Sequence, residues 1–190
     1  MIQRKKLQLA LNSLLTIVAI ATVVAGTVQS QTPAPAIENF GKVNDSYYRG
    51  GQPKEKQIQQ LKLLGVKTII DLRKDKKPEE SQWAASAGLR YFNIPLLPGK
   101  AATDDQTNYF LSLVNDPANW PVYVHCKGGR HRTGALTGVY RITHDGWTAD
   151  QAFAEMLKYD FESGWFGGPG AQKKFVFQFY ERYSQNHHKK

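Results

Sequence analysis

The sequence predicts an α/β fold in which a central, mostly parallel sheet of four to five strands is flanked by helices. Three observations lead to this prediction. Short apolar segments rich in β-branched residues alternate with longer segments whose apolar residues recur at helical spacing. Glycine or proline follows several of these segments and is expected to end them. The chain of 190 residues is long enough for one domain with a substantial core and too short for two catalytic domains.

The predicted strands begin with a segment that enters a glycine-rich turn and end with a short apolar segment before a second glycine-rich loop. They cover residues 43–49, 66–72, 90–94 and 121–125. Pro95 is expected to end the third strand, because proline cannot donate a backbone hydrogen bond to a neighbouring strand. In a parallel sheet, ligands bind at the carboxyl ends of the strands. The functional residues are therefore expected just after these segments.

The predicted helices alternate with the strands and then follow one another at the end of the chain. They cover residues 54–64, 79–87, 103–114, 133–144, 148–158 and 171–183. Gly65 and Gly88 fit the ends of the first two helices, where a glycine accepts the left-handed conformation. Thr103 and Thr148 are each followed three residues later by glutamine, and this capping-box pattern predicts where two helices begin.

The composition is that of an ordinary globular protein with an excess of basic residues. The hydrophobic fraction is 41%, the charged fraction is 22% and the formal net charge is +9 at pH 7, which excludes a disordered, collagen-like or coiled-coil chain. A basic domain suits an anionic partner, but the basic residues are scattered, so we expect no nucleic-acid partner. The single cysteine, Cys126, excludes an intrachain disulfide and any metal site built from several cysteines.

Residues 1–30 have the pattern of a secretory signal. A positive segment at 1–6 is followed by an apolar stretch at 7–28 and by small residues, which predicts an exported, periplasmic or secreted domain after cleavage before Gln31. The alternative is an uncleaved anchor, because the apolar run approaches the ~20 residues that span a bilayer. Such an anchor would be the only membrane attachment.

The rest of the chain divides into three predicted segments. Residues 31–37 are expected to form a stiff, proline-containing linker, and residues 38–185 the folded domain. Residues 186–190 are expected to be a basic, solvated tail. We expect the domain to be a monomer.

The loop after the last predicted strand combines residues that can bind and attack a tetrahedral anion. Gly128 and Gly129 allow it to curl so that its backbone N–H groups point inward, and the N-terminus of the following helix reinforces this anion nest. Cys126 begins the curl, where these donors favour a thiolate. Arg132 ends it, where a planar guanidinium can bind two phosphate oxygens. The loop therefore predicts a nucleophilic sulfur beneath a phosphoryl group.

The pattern His-Cys-x-x-Gly-x-x-Arg-Thr-Gly over residues 125–134 resembles the signature of the cysteine-dependent protein tyrosine phosphatase superfamily. The segments 39–43, 48–53 and 70–73 resemble the small plant, fungal and bacterial members of its atypical dual-specificity branch. The resemblance implies a phosphatase-type fold and a reaction that needs no metal and no cofactor. It also implies two steps, in which a phosphocysteine forms and water then releases phosphate.

The resemblance also implies a role for each residue of the loop. Cys126 would be the nucleophile and Arg132 the phosphate clamp. The hydroxyl of Thr133 would support the thiolate and its departure in the second step, and His125 would orient the loop and tune the thiol. Backbone N–H groups would bind phosphate oxygens from Lys127, Gly128, Gly129, Arg130, His131 and Arg132.

The general acid is the point at which the sequence departs from the family pattern. The family's aspartate position falls near Pro98 and Gly99, and neither is an acid. The nearest candidates are Asp104 and Asp105, with Asp105 preferred, although acids in the first turn of a helix are favoured by its dipole regardless of catalysis. General acid catalysis is typically worth ~10² to 10⁴-fold. An enzyme without it would act best on good leaving groups.

The substrate class is narrowed only by charge. Lys127, Arg130 and His131 would surround the phosphate with positive charge, unless they simply point into solvent. This favours a highly anionic substrate such as an inositol phosphate or phosphoinositide, while phosphotyrosine in a phosphorylated protein is an equal alternative. Arg73 and Lys74 either line the same mouth or form a surface pair.

Two other functions stay open from the sequence. A phosphate-binding module, a pseudophosphatase, would keep the loop and lose turnover. Sulfur transfer by a rhodanese-like loop is less favoured, because the Arg132-Thr133-Gly134 ending belongs to the phosphatase pattern. The turn around Arg49 and Gln52 is expected to have a structural role rather than to contact substrate.

Overall fold

The computed structural model describes residues 33–162 and 170–187. A sheet of five strands lies at the centre of this part of the chain. The strands are β1 (Gly41–Asn44), β2 (Tyr47–Gly50), β3 (Thr68–Arg73), β4 (Arg90–Leu96) and β5 (Val122–His125). Their order across the sheet is β1-β2-β5-β3-β4, with β1 antiparallel to β2 and the other neighbours parallel. The predicted fold class is confirmed.

Six helices are described, together with one turn of 3₁₀ helix at Pro117–Asn119. The helices are α1 (Glu55–Leu63), α2 (Pro78–Ser86), α3 (Asp104–Val114), α4 (His131–Asp145), α5 (Ala149–Lys158) and α6 (Gly170–His187). Both predicted capping boxes are present, and the hydroxyls of Thr103 and Thr148 accept N–H bonds from Gln106 and Gln151. Within the described ranges, no helix combines the length and apolar character that a bilayer crossing requires.

The helices cover both faces of the sheet because the central strands alternate their apolar side chains between two cores. In β5, Val122 and Val124 enter the larger core, which α3, α4, α5 and α6 complete. Tyr123 points to the opposite face and joins the smaller core with Ile58 of α1 and Ala84 of α2. Because successive side chains of a strand point to opposite faces, helices pack on both faces of the sheet and the fold has three layers, with the sheet in the middle.

Two strand boundaries differ from those that the sequence predicts. The first predicted strand is two strands joined by a turn, in which the N–H of Ser46 donates to the side-chain oxygen of Asn44 at 2.9 Å. Strand β4 continues through Pro95 to Leu96 instead of ending before the proline. The reason is that β4 lies at the edge of the sheet, where one side of the strand has no neighbour and a missing N–H removes no ladder bond.

The strand order places three loops at one edge of the sheet. Gly50 at the end of β2 and Asp71 near the end of β3 both pair with His125 at the end of β5. Because these strands are parallel, the segments that follow them meet. The predicted signal at 1–30 and the last residues of the predicted tail, 188–190, lie outside the described residues, and the predicted domain limits stay a prediction.

Candidate active site

The loop after β5 is a tight connection over residues 126–130, followed at once by α4. The helix begins at His131, two residues before the predicted start, so Arg132 belongs to its first turn. The first N–H groups of a helix have no partner within the helix. This turn therefore adds backbone donors to those of the loop.

Gly129 allows the loop to lie directly against the turn that follows β2. Its φ is +70°, and a Cβ on it would lie 2.5 Å from the carbonyl carbon of Gly50 and 2.6 Å from the nitrogen of Gly51. Two glycine pairs that are far apart in sequence thus touch in the fold. The N–H of Gln52 adds a bond of 3.0 Å to the carbonyl of Lys127.

Arg49 supports the same loop from below. Its guanidinium donates to the carbonyl of Gly129 at 2.9 Å and lies 3.8 Å from the ring centre of Tyr159. The carboxylate of Glu155 is 3.9 Å away. Arg49 is completely buried, which agrees with the expected structural role and removes it from contact with substrate.

Most of the predicted phosphate-binding residues line one cavity of about 460 Å³. Cys126, buried at the start of the loop, and Arg132, in the first turn of α4, are both part of its wall. The lining residues are Glu38, Asp75, Pro98, Gly99, Cys126, Lys127, Gly128, Arg130, His131, Arg132 and Gln172. The sequence did not predict Glu38, Asp75 and Gln172, because each comes from a distant segment without a local motif.

Three predicted site residues lie behind the cavity wall. Gly129 faces the turn after β2, and His125 is buried at the end of β5. The side chain of Thr133 is also buried, and its hydroxyl has no hydrogen-bond partner within the described part of the chain. A buried hydroxyl in this state retains its capacity to donate to an anion beside it.

Arg132 brings a positive charge that no carboxylate of the described residues neutralises through an ion pair. Its side chain is almost fully buried, and among the described residues its guanidinium donates to the carbonyl of Leu96 at 3.2 Å. Guanidinium carries five N–H donors, and a buried charge is stabilised only by a partner. Arg132 therefore makes the cavity a site for an anion. Arg130 differs, because it forms an ion pair with Glu38.

The structure does not bring Asp104 and Asp105 to this cavity. Both are exposed in the first turn of α3, and the carboxylate of Asp104 lies 3.4 Å from Arg182 of α6. Their placement follows from the helix dipole, which favours acids at this turn. The carboxylates that line the cavity are instead those of Glu38 and Asp75. Asp75 follows β3, whereas in the family pattern the general acid follows the strand that corresponds to β4.

Arg73 has neither of the two roles that the sequence suggested for it. It is buried beneath the loop, where its guanidinium lies 2.8 Å from Asp71 and 2.6 Å from Glu80. Lys74 is exposed and is not among the residues that line the cavity. Burial raises the pKa of Asp71, but the charge of His125 and the bonds from Arg73 and Tyr91 outweigh it and hold this pKa below 3.8.

Asp71, Glu80 and His125 each direct a potential ligand atom to one place, with these atoms within 4.8 Å of one another. A metal ion could be held by such a set of donors. The guanidinium of Arg73, however, already donates to both carboxylates. It supplies the positive charge that an ion would bring, so the residues present do not fit a metal.

Known proteins with similar sequences include phosphatases, which agrees with the anion site that the loop after β5 forms. A family model described as DSP-PTPase phosphatase fused to NAD+ kinase matches residues 24–174. The dual specificity protein phosphatase TpbA of Pseudomonas aeruginosa strain UCBPP-PA14 is 28% identical over 132 residues, which are 70% of this chain and 59% of TpbA. The inositol diphosphatase DSP4 of Arabidopsis thaliana is 31% identical over 126 residues, which are 64% of this chain and 63% of DSP4.

Solved structures share the fold. The catalytic domain of the PP-IP phosphatase SIW14 from Saccharomyces cerevisiae, in complex with citrate, superposes with a TM-score of 0.65 at 23% identity, over 80% of this chain and 94% of that one. A cysteine-to-serine variant of P. aeruginosa TpbA, in complex with pTyr, gives 0.63 at 25% identity, over 77% and 91% of the two chains. The chain spans about three fifths of the length of the curated relatives TpbA and DSP4. Because the family match covers most of its residues, the chain belongs to the DSP-PTPase phosphatase family.

Proposed function

We propose that this protein is a cysteine-dependent phosphatase that hydrolyses phosphate esters through a phosphocysteine intermediate. The observation that carries the proposal is the placement of Cys126 and Arg132 in the wall of one cavity, at the two ends of a glycine-rich loop. The unneutralised charge of Arg132 supports it, because a phosphoryl dianion supplies the partner that this buried guanidinium lacks. Membership of the phosphatase family supports it independently.

In the first step, the thiolate of Cys126 attacks the phosphorus of a bound phosphate ester. A sulfur–phosphorus bond forms, the bond from phosphorus to the ester oxygen breaks, and the leaving oxygen takes up a proton. Arg132 and the backbone N–H groups of the loop stabilise the charge on the phosphoryl oxygens.

Asp75 is the proposed donor of that proton. Asp75 and Glu38 are the carboxylate residues of the described part of the chain that line the cavity, and Glu38 forms an ion pair with Arg130. Asp75 has no ion-pair partner among the described residues, so its carboxyl group is available to a bound ester. The route is therefore through Asp75 rather than through Asp104 or Asp105.

In the second step, water attacks the phosphorus of the phosphocysteine, the sulfur–phosphorus bond breaks and inorganic phosphate leaves. Asp75, ionised after the first step, takes up the proton that the attacking water loses, which restores the acid for the next cycle. The departing sulfur is again a thiolate and needs a donor. Thr133 is proposed for this role, because its buried hydroxyl follows Arg132 in the first turn of α4 and has no hydrogen-bond partner among the described residues.

The proposed substrates are phosphotyrosine in a protein and a highly anionic inositol phosphate or phosphoinositide. Four basic side chains support an anionic substrate, since Lys127, Arg130, His131 and Arg132 all line the cavity. The names of the relatives support both classes, because TpbA is a dual specificity protein phosphatase and DSP4 an inositol diphosphatase.

A phosphate-release assay tests this proposal. The purified chain is given p-nitrophenyl phosphate, a phosphotyrosine peptide and an inositol polyphosphate, with Cys126→Ser as the matched blank. We expect turnover of p-nitrophenyl phosphate and of at least one other substrate, lost in the blank. Binding of phosphate without turnover would instead show a binding module, and thiosulfate sulfurtransferase activity would show a rhodanese-like enzyme.

We also propose that the enzyme acts outside the cytoplasm. The basic segment at 1–6 and the apolar stretch at 7–28 support this proposal. Fractionation of a bacterial host that expresses the full chain tests it. A product that stays in the cytoplasm at its full length would overturn it.

A further inference from the structure

A group of four ionisable side chains lies beneath the loop, sealed from solvent. Asp71 and Arg73 come from β3, Glu80 from α2 and His125 from β5, and each is at most 2% exposed. Two carboxylates and one guanidinium leave this group with one negative charge in excess. A protonated His125 would make the group neutral, which is the state that burial favours.

Both ring nitrogens of His125 face oxygen atoms that can only accept. Nε2 lies 2.7 Å from a carboxylate oxygen of Glu80. Nδ1 lies 3.3 Å from the carbonyl oxygen of Cys126 and 3.9 Å from a carboxylate oxygen of Asp71. A neutral imidazole has one N–H, so it leaves one of these contacts as two opposed lone pairs. The imidazolium ion has no lone pair toward either side, and its Nε2 forms an ion pair with the Glu80 oxygen, although no aligned hydrogen bond joins these two atoms.

The carboxylate oxygen of Glu80 that lies beside Nε2 of His125 accepts no hydrogen bond from any other described residue. The other oxygen of Glu80 accepts from Arg73 at 2.6 Å and from Gln52 at 3.0 Å. Asp71 is held by Arg73 and by the hydroxyl of Tyr91 at 2.7 Å.

One more ionisable residue packs against the group. The ring of Tyr123 stacks on His125 with 5.7 Å between ring centres, and Tyr123 in turn interacts electrostatically with Glu80, with Cys126 and with the guanidinium of Arg49 on β2.

We propose that Glu80 is a positioning residue that keeps His125 doubly protonated, so that a fixed positive charge stands directly before Cys126 and favours its thiolate. The inference rests on the proposed function, because the first step of the reaction needs that thiolate. Glu80 does not line the cavity. It acts through His125, which bonds to the carbonyl of the nucleophile's own residue.

Alkylation of the protein by iodoacetamide at a series of pH values tests the proposal. The chain has a single cysteine, so the rate reports on Cys126 alone. In Glu80→Gln, we expect the midpoint of the rate profile to move up by about one pH unit, which is the size of effect that one nearby charge produces. Gln52→Leu is the matched control, since it removes a bond to Glu80 without removing charge, and its midpoint should stay in place.

A spectroscopic measurement on the unmodified protein keeps the proposal testable if Glu80→Gln fails to fold. The ¹⁵N resonances of the His125 ring, assigned by their loss in His125→Asn, should show two protonated nitrogens at pH 7. A neutral tautomer at that pH, or a folded Glu80→Gln protein whose alkylation midpoint does not move, would overturn the role of Glu80. Both measurements are independent of turnover, so absence of phosphatase activity would instead count against the proposed function.

Discussion

Two buried arginines near the loop, Arg73 and Arg132, hold their positive charges in opposite ways. Arg73 donates to two carboxylates, those of Asp71 and Glu80. Arg132 donates to a backbone carbonyl, that of Leu96, and lies in the wall of the cavity. A buried charge that is paired with carboxylates has a structural role, because the fold depends on the pair, whereas a buried charge without such a partner is available to a ligand. Side-chain type and burial alone would not have distinguished them.

The largest expected effect comes from the unpaired arginine. Arg132→Ala should lower kcat/KM for p-nitrophenyl phosphate by about 10³-fold or more, because it removes the charged donors on the phosphoryl oxygens. Its unfolding free energy in urea should fall less than that of Arg73→Ala, because no buried carboxylate loses a partner. If Arg132→Ala lost stability but kept its activity, Arg132 would be a structural arginine and not a ligand-binding one.

The paired arginine should show the opposite pattern. Arg73→Ala leaves the carboxylates of Asp71 and Glu80 buried without their shared partner, and breaking such a buried pair typically costs about 3–5 kcal/mol. Urea denaturation followed by circular dichroism measures this loss against Arg132→Ala under the same conditions. Equal stabilities of the two variants would contradict the distinction between a structural and a ligand-binding arginine.

The loop itself can be displaced without touching either arginine. Gly129→Ala puts a methyl group 2.5 Å from the backbone of Gly50 at a positive φ, so the loop must move. A shift of about 1 Å at an active site can cost about 10²-fold in rate, which steady-state kinetics would detect. Gly128→Ala is the matched control, because its methyl group would meet no atom closer than 3.6 Å, and its activity should fall far less.

The assignment of the acid predicts an effect that depends on the leaving group. Asp75→Asn should lower kcat by about 10²-fold for an alkyl phosphate and much less for p-nitrophenyl phosphate, whose leaving group needs little protonation. Asp104→Asn and Asp105→Asn are the controls, because neither residue lines the cavity. An equal loss on both substrates, or a larger loss in a control, would exclude Asp75 as the acid.

The smallest effect is on stability in acid. The pKa of Asp71 in the fold is lower than its ordinary value of 3.8, since His125, Arg73 and Tyr91 together outweigh the opposing effect of burial. Its contribution to stability is therefore complete above about pH 4 and is lost as the pH falls through the lower, folded value. Urea denaturation from pH 6 to pH 3 should show this decline, and Asp71→Asn should show a shallower one.

The parts of the molecule that the sequence predicts correctly depend on local signals. The capping boxes at Thr103 and Thr148 and the alternation of Val122, Tyr123 and Val124 act within a few residues. The residues of the loop after β5 that line the cavity likewise belong to one contiguous segment. The continuation of β4 through Pro95 depends instead on the strand being at the edge of the sheet, which no local pattern reports.

The parts that could not be predicted are contacts between distant segments. Glu80 meets His125, and Asp75 reaches the cavity, because β5 lies between β2 and β3 in the sheet. Asp104 and Asp105, the candidates that the sequence offered for the acid, lie in the first turn of α3, where the helix dipole favours them, and neither lines the cavity. Features formed by residues close together in the sequence were predicted, and contacts between residues far apart in the sequence were not, whatever the residue type.

The central place of β5 has a consequence for how the protein is made. On a ribosome, the hairpin of β1 with β2 and the pair of β3 with β4 emerge first, and no strand links them in the sheet until the segment 122–125 has left the exit tunnel. A nascent chain that stops at residue 120 should therefore be degraded readily by added protease, because its two strand pairs lack their shared neighbour. The insertion of this one late strand completes the sheet and brings the loop that follows it against the turn after β2.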